Sequence, residues 1–346
     1  MQPGMTEPRI TIVIVNWNGQ HWLEQFLPLL YSRTDVPFHL LVIDNASKDD
    51  SVKWLQAHFP QAEVHVMPSN LGFAGGNNAA LPFVKTPYLL LLNSDVEVTE
   101  GWLGPLFAYL EANPQTAAVQ PKLRAWKSQN QFEYAGAAGG FIDVLGYPFC
   151  RGRIFDVLET DNGQYDTPVP VFWTSGACML IRTEAVNLVG LFEEGFFAHM
   201  EEIDFCWRLQ NAGYKLAAVP ASTVYHVGGG TLPQGNPRKV YLNYRNGLWM
   251  MARNLAFPQL IPILFIRMLL DGVAALRQLL KGDWRYLPAV LRAHLHFYQR
   301  IPHIVAQRRK ASIRPLSQLE GVYRGSIVWA HFIRRVRCWS ELKISK

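Results

Sequence analysis

The stretch Ile10–Asn16, ITIVIVN, is a continuous apolar, β-branched run that ends abruptly in Asn16-Trp17-Asn18-Gly19. A run without polar alternation is what a strand buried on both faces of a parallel sheet requires. Working outward, Trp22, Phe26, Leu27 and Leu30 then recur at helical spacing. Leu40–Asp44 (LLVID) repeats the buried-strand pattern, and Ser47 or Asp49 is placed to cap a helix carrying Val52 and Leu55. Val64–Met67 is a third short strand, Asn70–Asn78 a glycine-bearing turn into a helix, and Tyr88–Asn93 (YLLLLN) a fourth buried strand. Strands separated by helical crossovers predict a doubly wound α/β sheet, in which ligands bind beyond the carboxyl ends of the strands. Three polar clusters fall there: Asn16-Trp17-Asn18, Asp44-Asn45-Ala46-Ser47 and Asn93-Ser94-Asp95.

Composition narrows the class. With 49% hydrophobic and 17% charged residues in 346, global disorder is excluded. The four cysteines (Cys150, Cys178, Cys206, Cys338) form no CxxC pair, so neither a zinc ribbon nor a disulfide framework is expected, and reduced cytoplasmic thiols are. The opening MQPGMTEPRI has neither a basic nor an apolar signal region, so no secretory signal is expected. The net charge of +6 hides an asymmetry. Residues 1–237 carry 13 basic against 23 acidic residues, and residues 238–346 carry 20 against four. The boundary at 237/238 therefore separates an acidic α/β region from a basic one that faces something anionic.

Between these, 120–170 mixes glycine, aromatic and acidic residues without periodicity, and reads as loops with short strands, a flap over the site. Gly176–Arg182 is a strand, Thr183 a helix cap, Ile203–Ala212 a helix stopped by Gly213, and Lys215–Pro220 a strand followed by Val224-Tyr225-His226 and Gly228-Gly229-Gly230. Beyond 238 strand signals stop. Leu260–Leu280 is apolar but holds Arg267, Asp271 and Arg277, too many charges for an ordinary spanning helix. It is expected to pack on the main domain or to lie in a membrane interface with its arginine heads snorkelling. Tyr286–Arg300 and Gly321–Arg337 read as further helices mixing aromatic with basic residues, a composition suited to anionic headgroups or to a solvated basic surface.

Four features carry possible chemistry. Asp95 ends an apolar strand, where a hard oxygen ligand holds a divalent cation against a diphosphate or, more plainly, caps the next turn. Glu201-Glu202-Ile203-Asp204 begins a helix. One carboxylate there can face a cleft as a general base, Asp204 can pair with Arg208 four residues on, or all three can simply complement the helix dipole. His226, beside glycines, is a candidate manganese ligand or a structural histidine. The run Gly72-Phe73-Ala74-Gly75-Gly76-Asn77-Asn78 suggests backbone N–H groups near phosphate or sugar, although it is neither GxGxxG nor Walker A.

Taken in order, IVIVNWNG, VIDNASKDDS, NLGFAGGNN, LLLLNSDVEV, TSGACMLIR, FFAHMEEIDFCWRLQNAGYK and VYHVGGG resemble the family 2 glycosyltransferases, in the rhamnosyltransferase-like branch, over about residues 10–244. The resemblance implies a GT-A fold: a doubly wound, mixed but mostly parallel sheet, here followed by a basic α-helical appendage. It also implies an inverting transfer from a nucleotide-sugar. Donor-site roles carry over to Asn16, Asn18, Asp44, Asn45, Gly75, Asn77, Asn93 and Ser94, with Asp44 bonding base or ribose. Asn93-Ser94-Asp95 matches the DxD element, so Asp95 is the implied ligand for Mn2+ or Mg2+, joined by His226. Glu202 matches the catalytic base, with Glu201 and Asp204 as supporting acids. Two departures stand out: Asn93 replaces the first Asp of DxD, and Glu202 replaces the more usual Asp.

The branch implies dTDP-rhamnose, with UDP- and GDP-sugars open, and a glycan or polyprenyl-linked acceptor of bacterial surface polysaccharide. It implies a cytoplasmic protein peripheral on the inner face of the cell membrane. Three other readings remain: a nucleotidyltransferase, which would want a glycine-rich basic signature near the N-terminus; an inactive nucleotide-sugar-binding protein; and nucleic-acid binding through the basic region, which leaves the front motifs unexplained.

Overall fold

The computed structural model describes residues 7–228, 236–309 and 311–342. The front alternates as expected: β1 (Ile10–Asn16), α1 (Gln20–Arg33), β2 (Phe38–Asp44), α2 (Ser51–His58), β3 (Glu63–Val66), α3 (Gly72–Ala80) and β4 (Tyr88–Leu92). β1 pairs in parallel with β2 and β4, and β2 with β3. The reason for the unalternating runs is visible in the packing. Val13, Leu41, Leu89 and Leu91 enter the core on one face of the sheet, and Ile12, Ile14, Leu40 and Leu90 the core on the other. Asp49, not Ser47, serves the start of α2, its Oδ1 accepting Ser51 N at 3.2 Å. The glycine run expected as a turn is itself the helix α3.

The chain continues through β5 (Val96–Val98), α4 (Leu103–Ala112), β6 (Thr116–Ala125) and β7 (Ser128–Phe132). It then forms β8 (Gly140–Asp143), β9 (Pro148–Cys150), β10 (Arg153–Ile154), β11 (Val157–Leu158) and β12 (Val169–Pro170). The expectation of loops over 120–170 is corrected here. β6 is a ten-residue strand inside the main sheet, and β8–β11 form a second sheet. The polar residues that masked β6 are buried with partners: Gln120 Oε1 accepts Ser175 N at 2.9 Å, and Lys122 Nζ stands 2.9 Å from Asp161. The pattern of apolar runs cannot register a strand whose polar side chains are satisfied inside.

β13 (Cys178–Arg182), α5 (Thr183–Val189), α6 (Glu201–Asn211) and β14 (Lys215–His226) complete the main sheet, in the order β12-β14-β6-β13-β4-β1-β2-β3. β13 runs antiparallel between β4 and β6, and β14 is parallel to β6, so the sheet is mixed. The strand expected over Lys215–Pro220 runs on to His226, with a register shift between Ala218 and Thr223. Thr183 is the first helical residue rather than a cap, its Oγ1 donating to Thr86 O at 2.8 Å.

The basic region is built of α7 (Pro237–Asn254), α8 (Phe257–Leu280), α9 (Tyr286–Arg308), β15 (Val322–Tyr323) and α10 (Ile327–Phe332). The helix expected over 321–337 is thus a strand and a six-residue helix. β15 adds in parallel to β8, and Trp249, Phe297 and Ile304 join the same core cluster as Val13 and Phe205. The 237/238 boundary coincides with the start of α7, yet the two regions share one core. Arg267 does not snorkel. It is buried, donating to Leu145 O at 3.1 Å and Gly146 O at 2.9 Å, with its guanidinium 3.7 Å from the Tyr147 ring centroid.

Candidate active site

The carboxyl ends of β1, β2 and β4 carry the expected polar clusters, already woven into one network. Asn16 Nδ2 donates to Asp44 Oδ2 (3.1 Å) and Ser47 Oγ (3.2 Å), and Ser47 N donates to Asp44 Oδ1 (2.9 Å). Asp44 is buried, with both oxygens engaged, so it shapes the floor of this region. Asn16 Oδ1 is buried without a partner. Asn18 and Trp17 stand exposed at the rim, Asn18 accepting Lys48 N at 2.7 Å. Asn45 is turned inward, donating to Gly72 O (3.0 Å) and accepting Leu71 N (2.9 Å).

The expectation of free N–H groups at the start of α3 is corrected. Phe73 N and Ala74 N both donate to Phe197 O, at 2.8 and 3.2 Å, and Gly72 N donates to Asn70 Oδ1 at 2.8 Å. The helix end therefore binds a protein carbonyl rather than a phosphate. Gly72, at φ +73°, has no room for a side chain, since a Cβ there would stand 2.5 Å from Phe197 O. Gly75 is buried against Leu71, and Asn77 Nδ2 donates to Phe73 O within α3 (2.9 Å). Asn78 instead ties α3 to the loop after α5, donating to Phe192 O (2.8 Å) and accepting Phe192 N (3.0 Å).

A second cluster forms where β5 meets β14. The antiparallel register opposes Val96 to His226, which brings Asp95 Oδ1 to 3.2 Å from His226 Nε2. Asn93 Nδ2 lies 3.4 Å from the same nitrogen, while Ser94 sits by Gly19. On the far side of the ring, His226 Nδ1 faces Glu133 Oε1 at 3.4 Å. Burial works against the charged imidazole, but Asp95 and Glu133 outweigh it and raise its pKa to about 10. Burial likewise opposes ionisation of Asp95, and the His226 charge holds its carboxyl below the usual value. Glu133 was not singled out in the sequence, and a lone acid after a short strand gives no signal there. Among the described residues no cluster of three metal-ligating side chains exists. Asp95 and His226 Nε2 present an oxygen and a nitrogen donor of the kind a divalent cation takes. Gly229 and Gly230 lie outside the described residues.

The third cluster is the start of α6. The preceding loop holds Phe197, His199 and Met200 at φ +66°, +70° and +71°, a conformation side chains rarely adopt. It is fixed from two sides. Phe197 O accepts the α3 amides, and from α7 Asn246 Nδ2 donates to Ala198 O (2.9 Å) and His199 O (2.7 Å). The outcome is an adjacent pair of carboxyl groups in which Glu201 Oε2 and Glu202 Oε2 are buried without any hydrogen-bond partner. Glu201 is buried, whereas Glu202 keeps part of its surface open. Burial pushes the Glu202 pKa up to about 7. Burial, then the neighbouring Glu202 and Asp204, hold Glu201 well above the usual carboxylate range. Gly176, just before β13, makes space here: a Cβ on it would stand 3.1 Å from the Phe73 ring and 3.7 Å from Glu202 Cβ.

Asp204 does not join the pair. Fully buried, it accepts from Arg208 Nε (2.9 Å), as its spacing predicts, and also from Arg253 Nη1 (2.9 Å) and Asn254 Nδ2 (2.7 Å). It anchors α6 to α7.

A sheet of this topology, with acids at the ends of β4 and α6, can be set beside known proteins. The family model described as Glycosyl transferase family 2 matches residues 11–187. The chain belongs to that family. It is similar to the N-acetylglucosaminyl-diphospho-decaprenol L-rhamnosyltransferase of Mycobacterium tuberculosis, 27% identical over 63% of this chain and 75% of the relative. It is also similar to rhamnosyltransferase WbbL of Escherichia coli, 25% identical over 63% and 83% respectively. The likeness thus falls in the rhamnosyltransferase-like branch. Among solved structures, GalNAc-T7 with UDP, GalNAc and Mn2+ superimposes with a TM-score of 0.58 at 17% identity, over 72% of this chain and 48% of that one. That likeness is one of fold, and the fold is GT-A-like. The chain spans about half the length of that protein.

Proposed function

We propose that this family 2 glycosyltransferase moves a sugar from a nucleoside-diphosphate donor to a hydroxyl of a lipid-linked glycan, with inversion and with Glu202 as the base. The observation that carries the reading is the Glu202 carboxyl: half-buried, one oxygen without a partner, its pKa near 7. A carboxylate so placed accepts a proton readily at neutral pH, which is what removing the acceptor's hydroxyl proton during attack requires. No covalent intermediate is needed. The strained loop and the Asn246 contacts keep the acid oriented.

The donor's diphosphate is assigned to the strand-end region at Asn93, Ser94 and Asp95, with Asn16 and Asn18 at the nucleotide side. Asp95 and His226 Nε2 are the residues that would hold Mn2+ or Mg2+, with Glu133 fixing the ring from behind. A divalent cation held by these residues would supply positive charge to offset that of the diphosphate. The names of the relatives support rhamnose as the sugar and a polyprenyl-diphosphate-linked sugar as the acceptor; dTDP is proposed as the carrier. On this reading the enzyme works in surface polysaccharide synthesis, at the inner face of the cell membrane.

The test is calorimetric titration of dTDP, UDP and GDP with and without Mn2+, beside a transfer assay on a polyprenyl-diphosphate-linked acceptor. One nucleotide is expected to bind in a metal-dependent way that Asp95→Ala removes, and transfer is expected to stop in Glu202→Gln. Failure of all three nucleotides to bind would overturn the assignment of the donor site.

A further inference from the structure

α8 is amphipathic in the reverse sense of a helix on a soluble protein. Its fully buried residues include Arg267 and Asp271, and Asp271 Oδ2 lies 3.2 Å from His294 Nε2 of α9. Its outward stripe is apolar: Ile261, Phe265, Leu269, Val273, Leu276 and Leu280, spaced three or four apart and each more than half exposed. α9 repeats the arrangement with Leu291, Leu295, Tyr298, Ile301 and Val305, each 40–60% exposed. The two stripes adjoin, because the Tyr298 hydroxyl reaches Met268 Sδ of α8 at 3.3 Å in an exposed contact. Trp284, in the turn between the helices, is 69% exposed. A contiguous face of this kind far exceeds the scattered apolar residues of ordinary surfaces and marks an interaction site.

Charge says what covers it. Arg277, Lys281 and Arg285 stand exposed where α8 ends, and Arg334 and Arg335 follow α10, whose Phe332 ring lies 5.0 Å from the Arg277 guanidinium. The four acids of this region offset little of that. Asp271 is buried, Asp283 faces Arg285, Glu320 faces Lys215, and Glu341 accepts Arg337 N. An apolar face rimmed by cations fits a bilayer with anionic headgroups, whereas a second copy would bring the same positive rim against itself. α8 is long and apolar enough to cross a membrane by length and composition alone. Its Arg267 and Asp271, however, are bound into the protein, which holds the helix against the fold.

We infer that the α8–α9 hairpin lies in the interface of an anionic lipid bilayer, its apolar stripes inserted and its basic rim on the headgroups. Attachment is then chiefly hydrophobic, and the basic residues add lipid selectivity. The sequence pointed to headgroup attraction by basic amphipathic helices, and this arrangement changes the dominant force.

The experiment is flotation of the full-length protein with vesicles of phosphatidylcholine, alone or with phosphatidylglycerol, at low salt and at about 1 M salt, where surface charge is screened. Wild type is expected to float with both vesicles, better with the anionic ones, and to stay bound at high salt. F265E/V273E is expected to lower partitioning at least about tenfold on both vesicles, since each change removes apolar insertion. K281E/R285E is expected to weaken only the anionic component. Binding of dTDP or UDP by the same variants should be unchanged, so failure of the docking surface and failure of the donor-site reading are read separately. Release of wild type from both vesicles by salt would overturn the hydrophobic mode. Vesicle binding unaffected by F265E/V273E, with the variant changing a dimer to a monomer by light scattering, would assign the face to a second copy instead.

Discussion

Two regions of this protein depart from the ordinary distribution of polar and apolar groups, and they do so in opposite directions. At the start of α6, Glu201 and Glu202 take ionisable oxygens out of water and give them no hydrogen-bond partner. On α8 and α9, large apolar side chains stand in the open while Arg267 and Asp271 are folded inside. Both arrangements cost stability in an isolated soluble protein: one by desolvating carboxyl groups, the other by leaving apolar surface in water. The first is resolved when a substrate hydroxyl meets the pair, the second when lipid covers the hairpin. An unpartnered buried acid and an uncovered apolar face are thus two forms of one signal, a surface built for something the chain does not itself supply.

The sharpest test of that contrast is Glu202→Gln. It keeps the shape and removes the base, so turnover is expected to fall by about 10²–10⁴-fold with nucleotide binding retained. Steady-state transfer kinetics check it, and full turnover in the variant would move the base to another group. The neighbouring acid gives the control. Asp204→Ala leaves the half-buried Arg208 and Arg253 without their shared, fully buried carboxylate, and breaking an ion pair of this kind costs up to about 3–5 kcal/mol. Denaturant unfolding should register that loss. In contrast, Glu201→Gln is expected to be neutral or stabilising, because it removes a desolvated acid that nothing pairs. Three acids within four residues, alike in charge, should separate into a catalytic group, its neighbour and a structural anchor.

That separation marks the limit of what the sequence makes legible. The buried strands β1, β2 and β4 were readable because both faces of the sheet demand apolar residues, and the ordered motifs located Asp95, the acid pair and His226. β6 was not readable, since Gln120 and Lys122 interrupt its run and only the fold supplies their partners. The α3 glycines looked like a ligand cradle because a helix N-terminus offers free amides in isolation. Phe197 O, more than a hundred residues away, takes them. The direction in which Arg267 and Asp271 point is likewise decided by β8–β9 and α9, which no helical periodicity of α8 contains.

Glu133 sharpens the comparison from the strand side. There every carboxylate has a partner, and Glu133 reaches the site only through the His226 ring. Glu133→Gln is expected to weaken divalent-metal affinity by about 10–100-fold, the range for groups that orient a ligating histidine. Manganese titration in the presence of nucleotide checks it. An unchanged affinity would place His226 outside the metal site.

The smallest expected effect is a displacement along the pH axis. The folded Glu202 pKa, about 7, lies above its ordinary value of 4.5. The base works only when ionised, so kcat/KM should rise with pH through about 7 and level off above it. Stability runs the other way. A raised carboxyl favours folding fully below the ordinary value, where both folded and unfolded states hold the proton. That advantage is lost as pH rises through 7, because the folded state must then ionise a desolvated acid. Because Glu201 and Glu202 share one environment, the apparent value belongs to the pair. Glu201, raised further by the Glu202 charge, still holds its proton while Glu202 titrates, so Glu201→Gln should leave the acid limb of the rate profile in place while the high-pH loss of stability shrinks. A limb that moves to lower pH instead would mean that Glu201 is ionised beside Glu202 and that its charge, not burial alone, sets the Glu202 pKa.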